Sequence, residues 1–537
     1  MSKNQIENSL ILSVVKNLVK MKSPDELLAE MKGTQLKKTL NGFDLIILGI
    51  GAIIGAGIFS MIGSAIVGVN MPGAGPAIVI SMVIAAIACI FSALCYAEFA
   101  SMIPAAGGVY TYTFATMGEF AAWVMGWVLI LQYAIGNITV ACSWTGYFFQ
   151  LLRGFEHYVQ YLPQFLQPIV MKIMYPPLWL INDYNTAKSL YEAQGLNPAE
   201  QIPMLFNVIP IALNLPALLM TAWVTCILIK GMSESKKMAS IMVVIKLAVI
   251  ALFVVLGAFY VAPEHWTPFA PHGINGIVAG AFSIFFAYIG FDAISTAAEE
   301  TKNPQKDVPF GIIGSLVLCT IIYIFVALVL TGMTWDIDVH APIAAAMANV
   351  GLGWVAGFIS LGALTGLTSV LLVMQLAATR IMFAMSRDNF FPSMFKRVHP
   401  KFNTPHVITV AVGALIMVGT LFLDLTTAAS ICNFGVFTSF MVVCIGVLIL
   451  RKTEPNRHRP FKVPFVPFFP ICGILICGGL MVYATIEMGT KALLFPAWIV
   501  LGIMIYFAYG YRRNRWLERK AARKAEVLAA KENKFLN

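Results

Sequence analysis

Apolar runs separated by short polar connections fill this chain almost from end to end. Crossing a bilayer as a helix takes about 20 mostly apolar residues. Runs at 44–68, 76–102, 118–150, 206–230, 239–262, 273–297, 309–332, 353–383, 406–423, 427–450, 470–488 and 493–511 meet that measure. Backbone inside hydrocarbon must satisfy its own hydrogen bonds, so each run predicts a spanning helix. The pattern therefore predicts an all-α polytopic membrane protein with 12 transmembrane helices. Around them it predicts a polar N-terminal arm (1–43), an outer segment near 152–205 and a basic tail (512–537). Aromatics and prolines in that outer segment ("YLPQFLQPIV", "MYPPLWLI") suit packing on the outer membrane face.

Composition narrows the class. Of 537 residues, 59% are hydrophobic and 12% charged, against about 25% charged in soluble domains. A net charge of +10 would suit a nucleic-acid partner in a soluble protein, but here its distribution speaks for topology. The basic residues gather in the arm, "KGMSESKKMAS" (230–240), "SRDNFFPSMFKRVHPK" (386–401), "RKTEPNRHRPFK" (451–462) and the tail from Arg512. The alternate loops "VNMPGAGP" (69–76), "APEHWTPFAPHG" (262–273), "TWDIDVHAP" (334–342) and "EMGTK" (487–491) carry few. Basic loops stay cytoplasmic, so both termini are expected inside. In the arm, "SPDELL" offers Ser23 as N-cap, Pro24 at the first helical position and Glu26 to complete a capping box, which predicts a short helix. The tail predicts a basic helix, solvated or lying on the membrane surface. The nine cysteines lie in apolar runs without metal-type pairing and read as small buried hydrophobes.

The first run contains "LGIGAIIGAGIFSMIG" (48–63), with five glycines in sixteen residues. Glycine in a helix interior costs about 1 kcal/mol relative to alanine. A spanning helix can break where its freed backbone lines a cavity, with N–H groups toward an anionic group and carbonyls toward a cation or ammonium. A close-packing GxxxG face accounts for Gly51 and Gly55 but leaves Gly57 over, so a functional break is expected. In the sixth run, "GAFSIFFAYIGFDAISTAAEE" (280–300), Gly290 fits either a break or close packing.

Polar residues at membrane depth are the remaining candidates. Lys246 lies inside "SIMVVIKLAVIALFVV" (240–255), nine residues beyond Lys237, about 13 Å along a helix. A charge at that depth points to function, with snorkelling toward the headgroups as the alternative. Gln132 and Asn137 lie in the third run, while Asp292, Glu98, Glu299 and Glu300 lie toward cytoplasmic ends and suit gate or loop contacts.

Four stretches, "GFDLIILGIGAIIGAGIF" (42–59), "CYAEFASMIPAAGGVYTY" (95–112), "FFAYIGFDAISTAAEETKNPQKDVP" (285–309) and "TRIMFAMSRDNFFP" (379–392), resemble the amino acid–polyamine–organocation (APC) permeases. Within them the chain is most similar to the cationic amino acid transporter branch and its bacterial homologues. The resemblance implies a LeuT-like 5+5 inverted repeat with spans 1 and 6 discontinuous. Spans 1–5 (44–262) would form one repeat and spans 6–10 (263–450) the other, with spans 11–12 (451–511) peripheral. It implies an amino acid held at mid-membrane, its carboxylate on backbone N–H groups of Gly55, Ala56 and Gly57. The ammonium would meet carbonyls of Ile53, Phe286, Ala287 and Ile289, and Gln132 would line the pocket. In related proton-coupled permeases a lysine matching Lys246 takes the place of a sodium ion. Its ammonium would bridge to span 1 carbonyls and to Thr368 and Ser369 of span 8, coupling protons to substrate. Bacterial similarity implies an inner-membrane location.

Three positions depart from the family pattern: Gln132 replaces a glutamate, Ala56 a threonine and Met102 an arginine. They favour a neutral or polar amino acid over a cationic one. The expected function is a proton-coupled amino acid permease working by alternating access, with membrane lipids around it and no cofactor. An exchanger without net proton coupling is the alternative, followed by a non-transporting amino-acid sensor. A channel lacks its ring of polar residues, and no catalytic triad, metal cluster or phosphate-cradling loop suggests an enzyme.

Overall fold

The computed structural model describes residues 20–23, 25–26, 40–69, 71–104, 107–205, 209–231, 236–296, 298, 301–402, 404–513 and 515–516. The first spanning helix begins at a capping box. The Asn41 side chain accepts from the Asp44 amide and the Asp44 carboxylate from the Asn41 amide, both at 3.0 Å, which satisfies N–H groups a helix start leaves unpaired. Helix α1 (Gly42–Ile53) stops where Ile54 turns extended, and α2 (Gly57–Val67) resumes 44° off its axis.

The chain continues through α3 (Ile78–Met102), a short α4 (Gly108–Thr116) and the long α5 (Glu119–Arg153). The outer segment folds into small pieces, among them α6 (Gln167–Met174) and α7 (Tyr184–Ala193). Then come α8 (Leu215–Lys230), α9 (Lys236–Gly257), α10 (Gly273–Ile284), α11 (Asp292–Thr296) and α12 (Pro304–Met333). They are followed by α13 (Pro342–Asn349), α14 (Gly353–Arg387), α15 (His406–Gly419), α16 (Leu425–Thr453), α17 (Phe468–Met488) and α18 (Leu494–Ile505). Among the described residues, eight helical stretches are long and apolar enough to cross a membrane, nine with the bent α1–α2 pair, and α8 and α15 are shorter apolar helices.

Several expected boundaries move: the run expected from 309 is helical from Pro304, and the one expected to end at 383 continues to Arg387. The run beginning at 206 becomes helical only at Leu215, because Asn214 caps α8 there and residues 204–205 pair with 209–210 as a two-residue ladder. The run expected to end at 423 stops at Gly419, ahead of a turn into the Asp424 cap of α16. The non-spanning helices α4 and α13 were not foreseen from the hydropathy pattern. The Ser23–Glu26 capping box is present, with both bonds at 3.0–3.1 Å. Pro24 and the residues of that expected helix after Glu26 lie outside the described residues, as do Glu299, Glu300 and the tail beyond Trp516.

Long α14 and α16 pack along α5, and α12 packs along α1 and α3, which encloses the α1–α2 break. Large side chains such as Leu219, Phe259, Phe325, Leu475 and Ile486 point outward, as lipid-facing positions should. Near the termini, the Glu119 amide donates to the Lys20 carbonyl (3.0 Å) and Arg515 lies 3.6 Å from the Glu119 carboxylate. Both ends of the described chain therefore sit at one end of α5.

Candidate functional site

Two broken helices meet in the middle of the molecule. Between α1 and α2 the amides of Gly55, Ala56 and Gly57 donate to no backbone carbonyl among the described residues. The first turn of α2 is π-helical, a distortion that recurs at functional sites. On the other side α10 tightens into a 3-10 turn over Phe285–Tyr288, Ile289 is extended and Gly290 takes φ 122° before α11 begins. Only glycine adopts that conformation without strain.

The glycines also set how closely the two breaks approach. A Cβ on Gly57 would collide with the Ala287 backbone, and one on Gly290 would lie 2.7 Å from the Ala52 carbonyl. Gly51 and Gly55 face Val243 and Val370, whose methyls would lie 2.8 and 2.9 Å from an added Cβ. The two explanations offered by the sequence, packing and a break, are thus both at work in one stretch.

Freed carbonyls have found side-chain donors. Lys246 is fully buried on α9 and donates to the carbonyls of Gly51 (2.7 Å) and Ile54 (3.0 Å). Those oxygens would have received the amides of residues 55 and 58 in an unbroken helix. The lysine therefore stays at depth and does not snorkel. Toward α14 its stem lies against Gly366. The Thr368 hydroxyl instead donates to Leu364 (2.7 Å) and accepts from Trp144 (3.2 Å), so the bridge to span 8 hydroxyls expected for Lys246 is replaced by a glycine contact.

Tyr323 of α12 was not singled out from the sequence. Its hydroxyl faces the carbonyls of Ile53 (3.0 Å) and Ala287 (2.9 Å), one from each broken helix. The signal was present: a phenol in the apolar "TIIYIFVALVL" must find a partner when no water is near. Of the other carbonyls named from the sequence, Phe286 accepts from the Ile289 amide at 3.3 Å and Ile289 accepts none among the described residues.

Gln132 is 1% exposed, and neither atom of its amide has a partner. Its backbone packs against α16, where Cys432 donates to its carbonyl (3.2 Å) and an added Cβ on Gly435 would lie 3.1 Å from its own Cβ. No hydrogen bond joins it to either break. An unpaired buried amide costs about 1–3 kcal/mol and is at home beside a site that supplies partners. Asn137 uses its amide on the Leu371 carbonyl (3.1 Å) and leaves its oxygen unpaired.

Both sides of the paired breaks are covered. Toward the Arg153 end of α5, Tyr147 donates to the Phe59 carbonyl (2.5 Å) and Ser60 to the His340 carbonyl (2.8 Å). Toward the termini, Tyr133 donates to Asp292 (2.6 Å) across the start of α11. Farther out, Glu98 receives Arg451 at 2.9 and 2.7 Å and the Val463 amide at 2.7 Å. Arg451 on α16 thus supplies the cation that pairs with Glu98.

The chain can now be set beside known proteins. A profile of the amino acid permease family matches residues 40–507. The chain is 39% identical over 500 residues to a methylthioribose transporter of Bacillus subtilis, covering 93% of this chain and 99% of that protein. It is 39% identical over 505 residues to the branched-chain amino acid permease BcaP of the same organism, with coverage of 93% and 99%. A vacuolar cationic amino acid transporter of Arabidopsis thaliana is 32% identical over 430 residues, 79% of this chain and 64% of that protein.

Proposed function

The chain belongs to the amino acid permease family, and on that premise we propose that it moves a neutral amino acid across the membrane by alternating access, coupled to protons. The observation that carries this reading is the pair of helix breaks at Gly55 and Gly290. Three free amides at Gly55, Ala56 and Gly57 suit a carboxylate, and the carbonyls of Ile53, Phe286, Ala287 and Ile289 suit an ammonium. Each charge-assisted hydrogen bond of this kind contributes about 1.5–3 kcal/mol.

Twelve spans follow if α8, α15 and the two legs either side of Gly489 each cross the bilayer along with the broken first helix. In this reading residues 44–262 and 263–450 are two inverted repeats, 451–511 adds two peripheral spans, and the arm (1–43) and tail (512–537) are cytoplasmic. An even number of crossings agrees with Lys20 and Arg515 meeting Glu119 on one side, and the basic loops put that side in the cytoplasm.

Lys246 is the proton-coupling residue of this scheme, since its ammonium replaces two missing helix hydrogen bonds and its deprotonation would release the α1–α2 break. Substrate choice follows from Gln132. An uncharged amide gives no counter-charge to lysine or arginine, and a similar bacterial permease is named for branched-chain amino acids. The test is uptake by the purified protein in proteoliposomes with an inward proton gradient, across the twenty amino acids. Gradient-driven accumulation of a neutral amino acid is expected. Counterflow indifferent to the gradient would replace proton coupling with exchange, and no uptake of any amino acid would overturn the reading.

A further inference from the structure

A separate hollow of about 210 Å³ lies at the Arg153 end of α5. Its wall is shared by the end of α5, the outer segment, the residue before α8 and the loop before α13. Among the polar side chains that line it, Asp183, Asn214 and Arg153 carry groups not taken up by other described residues. Asp183, 5% exposed, uses Oδ2 to accept from the amides of Asn185 (3.0 Å) and Thr186 (3.2 Å), starting α7, and its Oδ1 has no partner among the described residues. Asn214, also 5% exposed, accepts through Oδ1 from Thr145 (2.7 Å) and the Ala217 amide (3.1 Å), which leaves its NH2 group unbonded. Arg153 forms no ion pair among the described residues, and its guanidinium rests 5.1 Å above the Tyr175 ring. Phe149, Ile181 and Leu425 give the hollow an apolar side.

Beside the apolar wall, the free oxygen of the buried Asp183, the Arg153 guanidinium and the Asn214 amide match the groups of a small zwitterion, while Asp338, exposed at the rim, holds its own turn through Oδ1. We infer that this hollow is a second amino-acid site, built by the outer segment as a staging position ahead of the central seat. Asp183 takes the ammonium, Arg153 and the Asn214 amide take the carboxylate, and the apolar wall takes the side chain. Its floor is the cover of the central site: His340 lines the hollow and accepts from Ser60 of α2, and Asp338 holds that turn through the amides of His340 and Ala341 at 2.7 Å each. Separation of α2 from His340 joins the two sites.

The identity of the ligand rests on the transport reading, but the test does not require transport. Equilibrium dialysis of the full chain in lipid nanodiscs with radiolabelled L-leucine is expected to give two molecules per chain. Asp183→Asn keeps a helix-capping side chain while removing the charge, and it should bind one; Arg153→Gln, at an exposed position, should also bind one. One molecule or none on the unmodified chain, or two on both variants, overturns the site. In proteoliposomes, Asp183→Asn should raise KM about tenfold from the cavity side only, the loss of one charge-assisted contact; an equal change from both faces also overturns it. Asp183-dependent binding without any uptake would sink the transport reading and leave this site standing.

Discussion

Lys246 and Gly366 are fitted to each other. A Cβ on Gly366 would lie 3.0 Å from the lysine Cγ and 3.2 Å from its Cδ and Cε, so α14 leaves a trough for the stem that reaches Gly51 and Ile54. Gly366→Val fills the trough. Overpacking of this kind costs about 1–3 kcal/mol, and here it displaces the ammonium from both carbonyls. A lower Tm and uptake reduced by at least about tenfold (1.4 kcal/mol) are expected. Gly357→Ala, on the same helix with nothing within 4 Å of the added carbon, should change neither.

Lys246→Met separates coupling from transport. The substitution keeps the stem but removes the donor to the Gly51 and Ile54 carbonyls, each of which then costs about 1–3 kcal/mol as an unmet buried acceptor. Thermal stability should fall. Accumulation under an imposed pH gradient should vanish while downhill exchange of labelled substrate persists. Gradient-driven accumulation at the unmodified level would end the assignment of Lys246 to proton coupling.

Tyr323→Phe tests the tie between the two broken helices. The single O–H of Tyr323 is shared between the carbonyls of Ile53 and Ala287, and its loss removes that one donor, at a cost of about 1–3 kcal/mol when no water enters. If the substrate ammonium takes over these carbonyls, the variant should regain more stability on ligand addition than the unmodified chain does. Thermal shifts with and without saturating L-leucine measure the difference. Equal ligand-induced shifts in both proteins would show that the ammonium binds elsewhere.

The architecture was readable where one physical constraint dominated. Apolar run length located most of the long helices to within about five residues, with the start of α8 the exception, because hydrocarbon leaves backbone little alternative to helix. The Ser23–Glu26 and Asn41–Asp44 boxes are local chemistry, and the former was visible in six letters. At the break, clustered glycine marked the place, but the sequence could not divide its causes. Only the structure shows Gly57 against Ala287 and Gly290 against Ala52. Tyr323, Tyr133 and Arg451 escaped notice because their partners lie on other helices. Side-chain pairs such as Arg451–Glu98, 353 positions apart, have no signature in spacing. The helices α4 and α13 do not show for a simpler reason: they are too short to register as spans.

Gln132→Glu should alter selectivity and also lower stability in the empty state. The amide is buried with both polar atoms unpaired, so a carboxylate there is a buried charge without a partner, which is costly, until a cationic side chain enters. Competition against labelled L-leucine uptake should show lysine and arginine turning from poor to effective inhibitors. A change of about tenfold corresponds to 1.4 kcal/mol, within reach of one charge-assisted contact. An unchanged inhibition profile would place Gln132 away from the substrate side chain.

Glu98 and Arg451 should behave as a unit. The carboxylate is 1% exposed and holds two guanidinium bonds and the Val463 amide, tying α3 to α16 and to the loop beyond it. Arg451→Met strands a buried charge, for which about 3–5 kcal/mol is typical; Arg459, 3.3 Å from the same carboxylate, should hold the loss near the lower figure. Glu98→Gln in addition to Arg451→Met removes the stranded charge and should recover most of the stability, because a neutral amide can keep the Val463 amide bond. Thermal unfolding of both single variants and the double variant decides the matter. Additive losses would mean that the two residues act independently, and that the α3–α16 connection near the termini is held by packing instead.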